Sequence, residues 1–165
     1  MKIYGKDAKK PRRLRIFFPL FIDMSGRKVL VIGGGNIAER RIKILSGFGA
    51  DITVISPAAT GYIEDAACRG AICLHKRKYK EGDIAGIMPM LVIAASDERR
   101  VNQNAMMEAS PLNIQVSVAD CLEECTCFFP AIAESGDYIA ALVSKNGSHR
   151  GVKAMAKKMR EMLSL

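Results

Sequence analysis

At 165 residues the chain is long enough to bury an apolar core as one ordinary domain. Its richest apolar stretch, Met88 to Ala95, holds a proline and falls far short of the roughly 20 residues of a spanning helix, so no membrane partner is expected. Five cysteines, an odd number, and no signal peptide in the short Ile16 to Ile22 patch argue for reduced thiols and cytoplasmic residence over a secreted disulfide framework.

The net charge of +8 is unevenly placed, beginning with seven cations against Asp7 alone before residue 17. Residues 1–16 therefore read as a basic, flexible arm. Lys28 to Ile32 is next, a buried-strand run that flows through Gly33-Gly34-Gly35 into a helix with Ala38, Ile42 and Leu45 at i, i+4, i+7. Gly47 and Gly49 close that helix before a second strand, Asp51 to Ser56. Strand, glycine turn, helix and strand in this order predict a dinucleotide site. Gly33 takes the tight turn, Gly35 keeps a Cβ out of the path of a pyrophosphate, Ala38 lets helix and strand pack closely, and the phosphates meet the helix's unpaired N–H groups. The acidic residue that usually ends the second strand and binds ribose is replaced by Ser56-Pro57. A serine hydroxyl can still bond ribose, and no arginine adjoins it to favour a 2′-phosphate, so the expected cofactor is NAD. Arg40 and Arg41 read either as phosphate ligands or as solvated helix surface.

Gly61 to Arg69 reads as a short helix, Ala71 to Lys78 as a strand and Glu81-Gly82-Asp83 as a turn; Cys68 and Cys73 read as core-facing small hydrophobes. Met90 to Ala95 is a buried strand ending in Ala94-Ala95-Ser96-Asp97, small residues against which ribose and nicotinamide can lie. A helix over Glu98 to Ala109 and a strand over Ile114 to Ala119, ended by Asp120, complete the alternation. It predicts an α/β, doubly wound, Rossmann-like parallel sheet. Cys121, Cys125 and Cys127 could offer thiolates to iron or zinc, yet C-x3-C-x-C contains no C-x2-C pair and supplies only three ligands, so no metal is assigned.

After Asp120 the pattern changes. Phe128 to Ile132, a turn at Ser135-Gly136-Asp137 and Tyr138 to Val143 read as an antiparallel hairpin, and a helix from about His149 carries Val152, Met155, Met159 and Met162 at i, i+3, i+7, i+10, a packing face suited to a dimer. Lys76, Arg77, Lys78 and Lys80 form a second basic island, and six cations against Glu161 form a third in residues 145–165. No nucleic-acid-binding module accompanies them, so nucleic acid is not expected and a polyanionic small substrate is as physical a partner.

Five motifs now stand in order: Phe18-Pro19-Leu20-Phe21, the Gly-Gly-Gly-x-x-Ala-x-Arg run at 33–40, Ala94-Ala95-Ser96-Asp97, Ser117-Val118-Ala119-Asp120 and Phe129-Pro130-Ala131-Ile132. In content and spacing they resemble the precorrin-2 dehydrogenase family, which includes the N-terminal module of sirohaem synthase, over residues 17 to about 163. The resemblance implies NAD-dependent oxidation of precorrin-2 to sirohydrochlorin, with some members also inserting iron. It matches Gly33, Gly35, Asn36 and Ile37 to the pyrophosphate loop, Ser56-Pro57 and Ala94-Ala95-Ser96 to the rest of the cofactor site, and Asp120 to the family's aspartate at the mouth of the site. An aspartate beside the nicotinamide can take the proton released as hydride leaves; without the resemblance a helix cap ahead of Cys121 to Cys125 is the lesser alternative for Asp120. Ser144, Lys145 and Arg150 are candidate contacts to precorrin-2, a polycarboxylate. The loop Ser144-Lys145-Asn146-Gly147-Ser148-His149 departs from the family's Ser/Thr-Gly-Gly-x-Ser-Pro, and the chain stops where members usually continue into a small helical domain. The expected organisation is an arm at 1–16, an NAD-binding domain at 17–120 and a dimerisation segment at 121–165, exchanged between the subunits of a homodimer. Dehydrogenation is the expected activity, with a bifunctional dehydrogenase and ferrochelatase, or a non-catalytic nucleotide-sensing module, as alternatives.

Overall fold

A computed structural model describes residues 16–163, so the arm at 1–16 falls outside the described residues apart from Ile16. Two compact units are present. The larger, Phe21–Phe128, holds β1 (Lys28–Ile32), α1 (Asn36–Gly47), β2 (Asp51–Ile55), α2 (Gly61–Cys68), β3 (Cys73–His75), α3 (Asp83–Ile87), β4 (Leu91–Ala94), α4 (Arg99–Ala109) and β5 (Gln115–Val118). The five strands form one parallel sheet in the order β3-β2-β1-β4-β5. Parallel strands are covered on both faces, which is why Val29 to Ile32 forms an unbroken apolar run, every residue at most 1% exposed. α1 buries Ala38, Ile42 and Leu45, the three positions its periodicity singles out.

This order places the site. The chain leaves β1 toward β2 on one side and later returns to add β4 on the other, so the loops after β1 and β4 diverge and open a crevice at the strands' carboxyl ends.

Among the described residues, the second unit comprises 16–20 and 129–163. Within it β6 (Ala131–Ser135) and β7 (Tyr138–Leu142) pair antiparallel with Ala133 opposite Ala140, and α5 (His149–Leu163) packs against β6. The α5 stripe differs from the expected one. Ala156 is buried with Val152 and Met159 partly buried beside it, at i, i+4, i+7, whereas Met155 and Met162 are 53% and 74% exposed. The seam within the chain thus takes Val152 and Met159 of the four expected positions and leaves Met155 and Met162 at the surface.

Other departures have local causes. β3 covers three residues rather than Ala71 to Lys78, because Arg77 forks onto Asp83 at 2.7 and 2.8 Å and its N–H turns back to the His75 carbonyl, pulling the chain off the sheet edge. The same ion pair stands at the start of α3, where the sequence shows only a turn. Cys68 and Cys73 are exposed rather than core-facing: one ends α2, the other lies on the outermost strand. Residues 121–128 pack with the sheet. The Cys125 thiol sits between the Val118 N–H and C=O at 3.2 and 3.3 Å, and Thr126 exchanges bonds with Val116.

Candidate active site

The three glycines after β1 do three different jobs. Gly33 has φ +115°, and a Cβ there would lie 2.3 Å from the Ala95 carbonyl oxygen, so only glycine fits where the β1 and β4 loops touch. Gly34 has an ordinary φ, but a Cβ on it would lie 2.2 Å from the Ala58 carbonyl oxygen; its own carbonyl accepts the Thr60 N–H at 2.9 Å. Gly35 meets nothing within 4 Å, so its bare Cα faces open space. It is also the cap of α1, and no side chain bonds the free N–H groups of that helix's first turn. Uncapped amides and a helix dipole at the bottom of a cleft suit an anion.

That cleft has a volume of about 900 Å³ and runs from the glycine turn to Asp120, near the upper end of the roughly 300–1,000 Å³ of cofactor sites. Gly33, Gly35, Asn36, Ile37, Ser56, Pro57, Ala95, Ser96 and Asp120 all line it. Ala94 does not: it is fully buried in β4, and its carbonyl accepts the Ala119 N–H at 2.9 Å, holding together the loops that carry Ser96 and Asp120. Arg40 and Arg41 are not lining residues either, and burial pushes the Arg41 guanidinium below its ordinary pKa. Ser144, Lys145 and Arg150 belong to the other unit, where the Ser144 hydroxyl bonds Asn146 and accepts the Ser148 N–H.

At the β2 end Ser56 is buried and its hydroxyl donates to the Ala58 carbonyl at 2.6 Å. The proton expected to reach ribose therefore closes the turn instead, and the oxygen is left as an acceptor. At the β4 end Asn102, fully buried in α4, clamps Ser96: its Oδ1 accepts the Ser96 N–H at 2.9 Å and its Nδ2 donates to the Ser96 carbonyl at 2.8 Å. Lys78 and Tyr79 close one side. Lys78 pairs with Glu98 at 3.3 Å, and the Tyr79 hydroxyl donates to Glu108, which also accepts the Ile84 and Ala85 N–H groups. Burial, then the Glu108 carboxylate, pushes the Tyr79 phenol far above its ordinary range, so it stays neutral.

Asp120 lies two residues past the end of β5 and its side chain is 37% exposed at the cleft mouth. It does not cap a helix; Cys121 occupies that position in the 3-10 turn Leu122–Glu124, and the Asp120 carboxylate instead meets Arg99 at 3.4 Å. Arg99 also binds Glu124, an attachment that raises the guanidinium pKa further. Nearby, burial and then the Cys125 thiol push the Cys127 thiol up to about 12. Among the described residues no three His, Cys, Asp or Glu side chains are grouped to hold a metal, and no helix is long and apolar enough to cross a membrane.

A family model described as NAD(P)-binding matches residues 20–131, most of the chain and the whole of this cleft. The chain belongs to that NAD(P)-binding family. It is 44% identical over 146 residues to a protein of Ruminiclostridium josui described as a probable multifunctional siroheme biosynthesis protein HemA, covering 88% of this chain and 28% of that one. It is 39% identical over 128 residues to the siroheme synthase of Ectopseudomonas mendocina, covering 78% of this chain and 27% of that one. The chain thus spans little more than a quarter of these relatives. Among solved structures it is similar to SirC, a precorrin-2 dehydrogenase, with a TM-score of 0.77 and 25% identity over 88% of this chain and 71% of that one.

Within the NAD(P)-binding frame, sequence reasoning missed Gly34, Asn102, Arg99 and Glu124. Gly34 carried a signal, a third glycine beyond the two the fingerprint requires. Asn102 carried a weaker one, a polar residue on the apolar face of a helix beside Ala105 and Ala109. Arg99 and Glu124 are 25 residues apart and look like ordinary surface charge.

Proposed function

We propose that the chain oxidises precorrin-2 to sirohydrochlorin with NAD, Asp120 accepting the proton. The observation that carries this reading is one cleft joining an uncapped helix N-terminus, bare at Gly35, to a carboxylate at the far end of the sheet. Siroheme enzymes and a precorrin-2 dehydrogenase among the similar proteins support precorrin-2 as the substrate. NAD is proposed over NADP because the lysine lining the cleft is paired with Glu98 and neither Arg40 nor Arg41 lines it.

The residues fit the cofactor. Amides of the α1 first turn, with Gly35, Asn36 and Ile37, would hold the pyrophosphate; Ser56 and Pro57 would meet the adenosine ribose; Ala95 and Ser96 would form the small-residue floor. When bound, the nicotinamide supplies a hydride acceptor. Loss of hydride makes an adjacent ring proton acidic, and the Asp120 carboxylate takes it. The exposure of Asp120 lets the proton pass on to water, and Asn102 keeps the Ser96 backbone from sagging into the cleft. We further propose the arrangement read from the sequence: a homodimer exchanging its C-terminal segment, with Ser144, Lys145 and Arg150 drawing in substrate carboxylates.

Anaerobic mixing of protein, precorrin-2 and NAD, followed by the absorbance of NADH and sirohydrochlorin, tests the reading. Both products should form together. Asp120→Asn should lower turnover by about 10²-fold or more with NAD affinity within about two-fold. Unchanged turnover in that variant would remove Asp120 from the mechanism, and NAD binding without turnover in the parent protein would favour a nucleotide sensor.

A further inference from the structure

We propose that Arg99 is a positioning residue for Asp120, with Glu124 as its anchor. The inference rests on the reading of Asp120 as proton acceptor. One guanidinium nitrogen of Arg99 is tied to Glu124 and the other meets Asp120 Oδ1 at 3.4 Å. The two contacts are unequal. Glu124 is the shielded partner, its side chain 18% exposed and its Oε2 buried, whereas Asp120 is 37% exposed and held only loosely. A planar guanidinium held at one terminal nitrogen presents the other in a set direction. Arg99 itself stands outside the cleft that Asp120 lines, so it acts on the carboxylate from behind and leaves the substrate side open.

The chemistry explains why two carboxylates share one cation. A permanent cation held beside a carboxylate fixes where that carboxylate points. Glu124 draws off part of the Arg99 charge and keeps that cation paired once Asp120 is protonated. The backbone is braced in the same direction: the Ala119 N–H is held by Ala94, and the Cys125 thiol is bonded to Val118, so the loop from 119 to 125 offers Asp120 from a fixed base.

The test compares Arg99→Gln, Arg99→Lys and Glu124→Gln with Asp120→Asn in the full-length chain, measuring thermal midpoint, NAD affinity and kcat and KM for precorrin-2. Arg99→Gln should lower kcat about ten-fold with NAD affinity and KM within about two-fold. Arg99→Lys, which keeps the charge but not the fork, should recover only part of the loss, and Glu124→Gln should lower kcat less and add nothing to Arg99→Gln. If Arg99→Gln leaves kcat unchanged, lowers it only in step with the thermal midpoint, or raises KM instead, the inference is overturned; the last result would make Arg99 a substrate contact. If Asp120→Asn itself keeps full turnover, the underlying reading fails first, and the two failures are told apart.

Discussion

The two ends of the cleft are built from different materials. At the glycine end every essential feature belongs to the backbone: a positive φ at Gly33, a carbonyl of Gly34 bonded to Thr60, open space at Gly35 and uncapped amides on α1. At the Asp120 end the features are side chains drawn from distant positions, Arg99 on α4 with Asp120 and Glu124 beyond β5. The first end is built into the fold, and at Gly33 and Gly34 it cannot be altered without altering the fold, whereas Gly35 faces open space. The second is laid onto it and can be changed with the fold intact. Binding is thereby separated from chemistry, and the separation can be tested residue by residue.

The sharpest break is within the glycine run. Gly34→Val drives methyls into the Ala58 carbonyl and the Ala59 Cα, both backbone, so folding stability should fall by about 3 kcal/mol. Urea denaturation measures it, and a loss below about 0.5 kcal/mol would mean that the Ala58 turn is free to move aside. Its neighbour should behave in the opposite way. Gly35→Val occupies open space with φ −82° and ψ −172°, values a β-branched residue adopts readily, so the urea midpoint should hold. NAD affinity should drop about 100-fold, or 2.7 kcal/mol, by calorimetric titration. Equal stability losses in the two variants would erase the distinction between a turn glycine and a ligand glycine.

Asn102→Ala probes the join between the ends. It strips both partners from the Ser96 backbone, and stability should fall by about 2 kcal/mol. Water entering from the cleft side limits the loss. An unchanged midpoint would show that Ser96 needs no clamp.

The same division governs what could be read before the structure. The glycine end was legible because its logic is local: strand, three glycines and an amphipathic helix lie within Lys28 to Leu45, and their spacing dictates the turn. The doubly wound parallel sheet followed from the alternation of strands and helices, and the hairpin from the turn at Ser135-Gly136-Asp137. Illegible features depend on partners far along the chain. α3 is five residues long, too short for a periodic signal, and begins at the Asp83 carboxylate that Arg77 holds. The end of β3 is set by the same pair, and the exposure of Cys73 by its place on the outermost strand. Ser56 sits where a ribose contact is expected, yet its proton goes to Ala58, a local turn bond that no spacing rule announces. On α5, burial within the chain falls on Val152, Ala156 and Met159, and the small Ala156 carries no periodic signal of its own.

One paired measurement tests the central claim that binding and chemistry are carried by opposite ends of one cleft. Gly35→Val and Asp120→Asn are compared in the anaerobic precorrin-2 assay over a full range of NAD concentration. The account predicts that Gly35→Val raises the NAD requirement while keeping most of kcat at saturation, and that Asp120→Asn loses kcat with its NAD requirement unchanged. If both variants lose the same parameter, or if neither loses any, the cleft does not work as described.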